Sequence, residues 1–349
     1  LDLAEDFLRF VPVSPWSTYL RGRLLLLRGE YTLASKEFKK GAFSLAIGHF
    51  DIESHDTALL VSLEQRDHFS EGLPSYYQHI ITLYERLHLL DKDRRAGAHS
   101  YVADFANLAL QALPRIPNLA ADAETKFRND ILSRLFSASI ATENLEQAYT
   151  TLSLYSNAVL RASALNTFVK TTIAKQQTSY LLSLPFTALA QDVDNILAAL
   201  ASKAATAQEA ARYGRLLYAY RVRRNDFRGA ATAVYELLQR LRASSSSQDH
   251  DGDEGGEEVL RCYLTLANLL AGVGEEERWI LAETPVAATA AGAAGLGRKA
   301  KRRVVTLEDV RRGYQEELDR RQVLEKGQFG FVDGVAGGAG QEDEMMVGG

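Results

Sequence analysis

Cysteine is nearly absent. Cys262 stands alone in 349 residues, so no internal disulfide can form and the cysteine pairs on which small secreted domains rely are missing. On that ground the chain reads as intracellular. Proline is scarce too, with 7 over the whole length, which leaves long stretches where nothing forbids a continuous helix. An excess of positive charge is also lacking. The 40 basic and 45 acidic side chains give a formal net charge of −5, and unaided binding to a phosphate backbone needs a cationic field. No apolar run approaches the roughly 18 residues that span a bilayer; Leu24 to Leu27 is typical of the longest. The first residues, Leu1 to Asp6, have neither an initiator Met nor the basic-then-apolar order of a signal peptide. They read as a cut inside a larger protein.

What is present is helical period. Hydrophobic residues make up 46% and charged residues 24%, an ordinary ratio for a soluble fold. Apolar residues recur three and four apart in Tyr77, Ile80, Ile81, Tyr84, Leu87, in Tyr101, Phe105, Leu108, Ala112, and in Phe227, Ala231, Val234, Leu238, Leu241. No run of strict alternation accompanies turn dipeptides, so the expected class is all-α with no β-sheet. Short breakers at Arg28-Gly29-Glu30, Glu143-Asn144, Leu184-Pro185 and Arg224-Asn225-Asp226 make neighbouring helices antiparallel. Three junctions share a pattern: a polar turn and a large apolar residue, then Ala three later, then an apolar residue four beyond. They are Tyr31, Ala34, Phe38, then Leu145, Ala148, Leu152, then Phe227, Ala230, Val234. The small Ala admits a close helix approach and the next apolar residue fills the groove. These are tetratricopeptide-like hairpins at unequal spacing, hence an irregular α-solenoid.

The expected layout is a main solenoid over 1–243, an acidic, Ser/Gly-rich mobile loop over 244–256 and C-terminal solenoid helices over 257–282. Arg278 to Leu281 is read as a further helical turn. An Ala/Gly and basic linker follows over 283–305, then a final helix over 306–326 with Thr306 capping and Asp309 reaching back, and a disordered Gly/acidic tail over 327–349.

Patterns that carry chemistry fail on particular residues. Asp249, Asp251 and Asp253 match the start of a calcium loop, but Glu254 stands where Gly is needed and Leu260 where a bidentate Glu is needed. Gly292 to Gly297 with Lys299 resembles a phosphate loop, yet the Lys is one place late and Ala300 replaces the hydroxyl. The histidines, His49, His55, His68, His79, His88, His99 and His250, include no pair four apart around a Glu. Cys262 lies on an apolar helical face, where a thiol is an inert small hydrophobe. No catalytic, cofactor or metal site is expected, and the chain is not read as an enzyme.

Two basic features remain. Arg298, Lys299, Lys301, Arg302 and Arg303 form either an import signal gripped in extended form or a solubilising run. The eight arginines from Arg212 to Arg242 face either an acidic partner or solvent.

One stretch adds a resemblance. Ser179 to Phe186 (SYLLSLPF), Asp192 to Leu197, Tyr213 to Tyr220 (YGRLLYAY) and Arg224 to Glu236 occur in order, with Trp16, Tyr19 to Arg23, Pro74 to Tyr77 and Glu277 to Ile280. Over roughly residues 12 to 282 the chain resembles the C-terminal helical region of the large nucleoporin family called one-twenty in fungi and one-sixty in vertebrates. Family members begin with a β-propeller. The resemblance implies a structural scaffold at the nuclear envelope, in the nuclear pore complex. There the C-terminal solenoid sits at the hub of the Y-shaped outer-ring complex and supports nucleocytoplasmic transport. It implies as partners nucleoporin eighty-five and nucleoporin one-forty-five C, ninety-six in vertebrates, with the Sec-thirteen propeller; neither small-molecule substrate nor nucleic acid is expected. An open solenoid end exposes an apolar face unless covered, so Tyr263, Leu266, Trp279, Val310, Tyr314 and Leu318 are the expected interface, or else they cap their own core. A vesicle-coat solenoid and a tetratricopeptide-type peptide adaptor are the alternative readings.

Overall fold

A computed structural model describes residues 2–47, 72–87, 92–115, 121–245, 254–284 and 301–329. The described residues form two compact units, 1–177 and 178–349 by chain position. In the first, helices α1 (Asp2–Phe10), α2 (Pro15–Arg28), α3 (Tyr31–Ile47), α4 (Leu73–Arg86), α5 (Lys92–Ala112), α6 (Ala121–Ala141), α7 (Leu145–Leu154) and α8 (Ala158–Ala174) follow one another. Each packs mainly on its sequence neighbours. In the second are α9 (Thr178–Ser183), α10 (Ala190–Lys203), α11 (Ala207–Arg223), α12 (Phe227–Ser245) and α13 (Glu254–Ala271). After these come strands β1 (Trp279–Thr284) and β2 (Lys301–Thr306), and then α14 (Leu307–Phe329).

The junction pattern is what builds the hairpins. The second helices start at Tyr31, Leu145 and Phe227, and Ala34, Ala148 and Ala230, with Phe38, Leu152 and Val234 after them, are all buried. At each turn one residue takes a left-handed conformation: Gly29 at φ 85°, Glu143 at 61° and Asn225 at 60°. That conformation closes the preceding helix and lets the amides of the turn donate to its orphan last carbonyls, as Glu30 does to Leu25, Asn144 to Ser139 and Asp226 to Arg221. Side chains then cap the next helix. Asn144 Oδ1 accepts from the Gln147 amide at 3.1 Å and Asp226 Oδ1 from the Gly229 amide at 2.8 Å.

The two cores differ in substance. The first unit is built around Trp16, Tyr19, Phe38, Tyr76, Tyr84 and Phe105, with Tyr84 and Phe38 edge to face at 6.2 Å and Tyr84 and Phe105 tilted at 5.8 Å. Their hydroxyls bond internally, Tyr76 to the Phe38 carbonyl at 2.9 Å and Tyr84 to the Tyr31 carbonyl at 3.0 Å. The second core is mostly aliphatic, with Ala230, Ala231, Leu238, Leu266, Leu270 and Ile280.

Three expectations change. A two-stranded antiparallel sheet exists, pairing Trp279 with Thr306 and Ile280 with Val305, where a helical turn and a linker were expected. Its pairing partners stand 17 to 27 residues apart, so no local period announces it. Helix α12 runs to Ser245 and α13 begins at Glu254, so helix extends from both sides into the segment read as a loop; residues 246–253, with the calcium-like aspartates, lie outside the described residues. So do Gly292 to Lys299 and the tail from 330 onward.

Candidate interaction surfaces

Four of the six residues expected at the C-terminal end pack against their own unit. Tyr263, Leu266 and Val310 are buried in the second core, and Tyr314 packs against it, edge to face with Tyr263 at 6.5 Å. Gly313 makes that pairing close, since a Cβ there would lie 2.8 Å from the Tyr263 hydroxyl. Trp279 and Leu318 are half-buried. The outward positions of α14, Glu308, Arg311, Arg312, Gln315, Glu316 and Asp319, are exposed and polar. The last helix therefore packs on its own core, the second of the two alternatives, and presents mostly charge outward, with Val323 exposed among it.

An ionic clamp holds it there. Glu317 is buried, 2.5 Å from Arg320 and 3.7 Å from Arg242, and the Arg242 guanidinium also lies 5.3 Å from the Tyr263 ring centre. At the start of α14, Thr306 Oγ1 accepts from the Asp309 amide at 3.3 Å and Asp309 Oδ2 accepts from the Thr306 amide at 3.0 Å. The donated Thr306 amide holds the Asp309 carboxyl below the usual carboxylate range.

Of the eight arginines of the hairpin, Arg212, Arg215, Arg223, Arg224 and Arg242 are exposed, as a solvated face reads, while Arg221, Arg228 and Arg240 are half-buried and bond to neighbouring elements. Arg221 forks onto both Asp194 oxygens at 2.7 Å and gives a further bond to the Gly229 carbonyl at 2.8 Å. Arg240 donates to the carbonyls of Ala201 and Ser202 at the end of α10, where the helix dipole is negative. Arg228 stacks 3.6 Å from the Trp279 ring centre while its Nε bonds the Trp279 carbonyl at 3.1 Å. These side chains pin each helix to the next; the signal that could have shown it is Asp194, set one helix earlier at a position facing Arg221.

Exposed apolar surface lies elsewhere. On α1, Leu3, Phe7 and Phe10 are 86%, 55% and 87% exposed and fall at i, i+4 and i+7, one face of a helix. That spacing was legible in the sequence and was missed. On the hairpin, the directly opposed pair Leu281 and Val304 is 42% and 50% exposed. Of the basic run, Arg302 and Arg303 are exposed on β2, so the run enters a strand where an unpaired linker was expected; Arg298 and Lys299 lie outside the described residues.

Nothing in the described residues gathers a reactive centre. No group of three or more His, Cys, Asp or Glu side chains among them is placed to hold a metal, and none of their helices is long and apolar enough to cross a membrane. Burial pushes the Cys262 thiol up to about 11, away from the reactive thiolate. His79 is spent on a 2.8 Å bond with the Tyr19 hydroxyl.

Residues 1–174 match the family described as nucleoporin Nup120, HEAT repeats. The nucleoporin NUP120 of Chaetomium thermophilum is 35% identical over 294 residues, 81% of this chain and 22% of its own length. The nucleoporin nup120 of Schizosaccharomyces pombe is 25% identical over 273 residues, 76% of this chain and again 22% of its own. The chain thus spans about a fifth of the length of these relatives. Among solved structures, a circular tandem repeat protein aligns over 90% of this chain and 59% of its own at 12% identity and a TM-score of 0.18, too low to bear on the fold. The helix-pair architecture, the match to the repeat family and the two colinear relatives agree: the chain belongs to the Nup120 family of nucleoporins, components of the nuclear pore complex, and is an all-α, solenoid-type segment of it.

Proposed function

We propose that this chain is a scaffold segment that binds other helical subunits at the hub of the Y-shaped outer-ring complex, with nucleoporin eighty-five and nucleoporin one-forty-five C as its partners. The observation that carries this is colinear similarity to nucleoporins over 81% of the chain, in a family of structural scaffolds and not of enzymes. The architecture is consistent with it: stacked helix pairs offer apolar faces and helix ends for binding other helical subunits. The interface residues proposed at the C-terminal end are Trp279, Tyr314 and Leu318, with Tyr263, Leu266 and Val310 supporting them from behind. The basic run remains a proposed import signal only as far as a receptor competes with β1 for β2.

The test is assembly. Light scattering of the purified chain mixed with both hub partners should give the summed mass of one complex; a chain that stays at its own mass sinks the hub reading. Substituting Tyr314→Glu and Leu318→Glu together should weaken that assembly at least about tenfold if the α14 contacts lie at the interface, since a buried charge without a partner costs several kcal/mol. Unchanged assembly removes α14 from the interface.

A further inference from the structure

The two-stranded sheet has one edge that its own unit blocks and one that it leaves open. Backbone groups in a strand point alternately to either side. The Arg278 carbonyl accepts from the Leu307 amide at 3.3 Å, on the β2 side. The Trp279 carbonyl instead accepts from Arg228, on the side away from β2. Alternation then turns the backbone groups of Ile280 and Ala282 toward β2, where they meet Val305 and Arg303. The amide and carbonyl of Val304 must therefore face outward from the other edge. The edge of β1 carries the Arg228 guanidinium stacked on Trp279 at 3.6 Å, which obstructs a neighbouring strand. The edge of β2 carries no comparable cover among the described residues.

Side chains around that edge say what would fit. Val304 and, directly opposite, Leu281 form an exposed apolar step on one face. Arg302 shares that face two residues back, and Arg303 lies between them on the other; both are exposed. A second copy of β2 would bring two further cations to the ladder and no carboxylate, which disfavours self-pairing. An antiparallel strand with an apolar residue opposite Val304 and carboxylates opposite Arg303 and Arg302 would match both features.

We propose that the outer edge of β2 takes an extended acidic segment of a partner protein as a third strand. Strand addition draws its affinity from main-chain hydrogen bonds and its selectivity from alternate side chains, and a third strand also steadies a sheet that two strands leave marginal. The site goes beyond the hub reading and stands without it, since it needs no helical partner.

The probe is the peptide acetyl-Thr-Thr-Val-Glu-Glu-Thr-amide, followed by hydrogen exchange at the Val304 amide and by anisotropy of a labelled copy, with the full chain. Expected are a slowing of Val304 exchange by about tenfold or more and a loss of binding of about tenfold in the Arg302→Glu, Arg303→Glu double variant. The same peptide with alternate amides N-methylated must fail to bind. Because that control alters the ligand only, it leaves the hairpin intact. Equal binding of the methylated peptide reduces the contact to charge and overturns the proposal. So does no binding up to about 1 mM, the weak end of specific recognition, or a Val304 amide already protected in the free chain.

Discussion

Gly22 on α2 sits against the Phe38 ring of α3. A Cβ built there would stand 2.6 Å from Cε1 and 2.7 Å from Cδ1 of Phe38, a ring that is fully buried. Replacing a helical glycine by alanine gains about 0.5–1 kcal/mol in backbone entropy, but forcing a methyl into a closed core costs about 1–3 kcal/mol. The second effect should win. Gly22→Ala is expected to lower the urea midpoint at unchanged slope; a higher midpoint would mean that Phe38 moves freely. Cys262 gives a chemical test of the other core. Its thiol ionises ordinarily near 9.0 and is raised to about 11, chiefly by burial and then by Glu258. Because the folded value lies above the unfolded one, this group's contribution is whole below about pH 9 and is lost as pH rises through about 11. Iodoacetamide at pH 8 should leave the folded chain unmodified and label it once urea unfolds it. Rapid labelling of the native chain would contradict the burial.

At the scale of the element, α14 shows most clearly what sequence could and could not convey. Its start was legible, because Thr306 and Asp309 carry a capping pattern within four residues. The junctions at Tyr31, Leu145 and Phe227 were legible for the same reason: turn, small residue and groove-filling residue are all local. What stayed hidden was pairing across distance. Val304-Val305-Thr306 reads as strand only when set against Trp279-Ile280-Leu281, and the arginines of α11 and α12 read as surface charge until Asp194 and Trp279 are brought beside them. The interface residues stay open between their two readings for a like reason, since an apolar stripe looks the same whether it meets a partner or its own neighbour. The clamp on α14 can be measured. Glu317→Ala removes a buried carboxylate bonded to Arg320 at 2.5 Å and near Arg242 at 3.7 Å. Both arginines keep access to water, so the expected loss is about 1–3 kcal/mol and not the larger cost of a fully buried pair. Glu317→Gln should recover part of it. Equal losses in the two variants would indicate packing in place of charge.

At the scale of the whole chain, the aromatic core of the first unit and the aliphatic core of the second are closed by different residues. Residues 1–177 and 178–329 expressed separately should each show helical circular dichroism and cooperative melting, with near-ultraviolet signal concentrated in the first. A second piece that melts without cooperativity would show that its core depends on the first. The hairpin bears on how such a chain can change over time. Its ladder brings Thr284 opposite Lys301, so the two strand ends lie side by side. Whatever lies between those two residues is topologically a detour. A change in the length between them leaves the route from Trp279 to α14 the same, at little cost to the helices on either side.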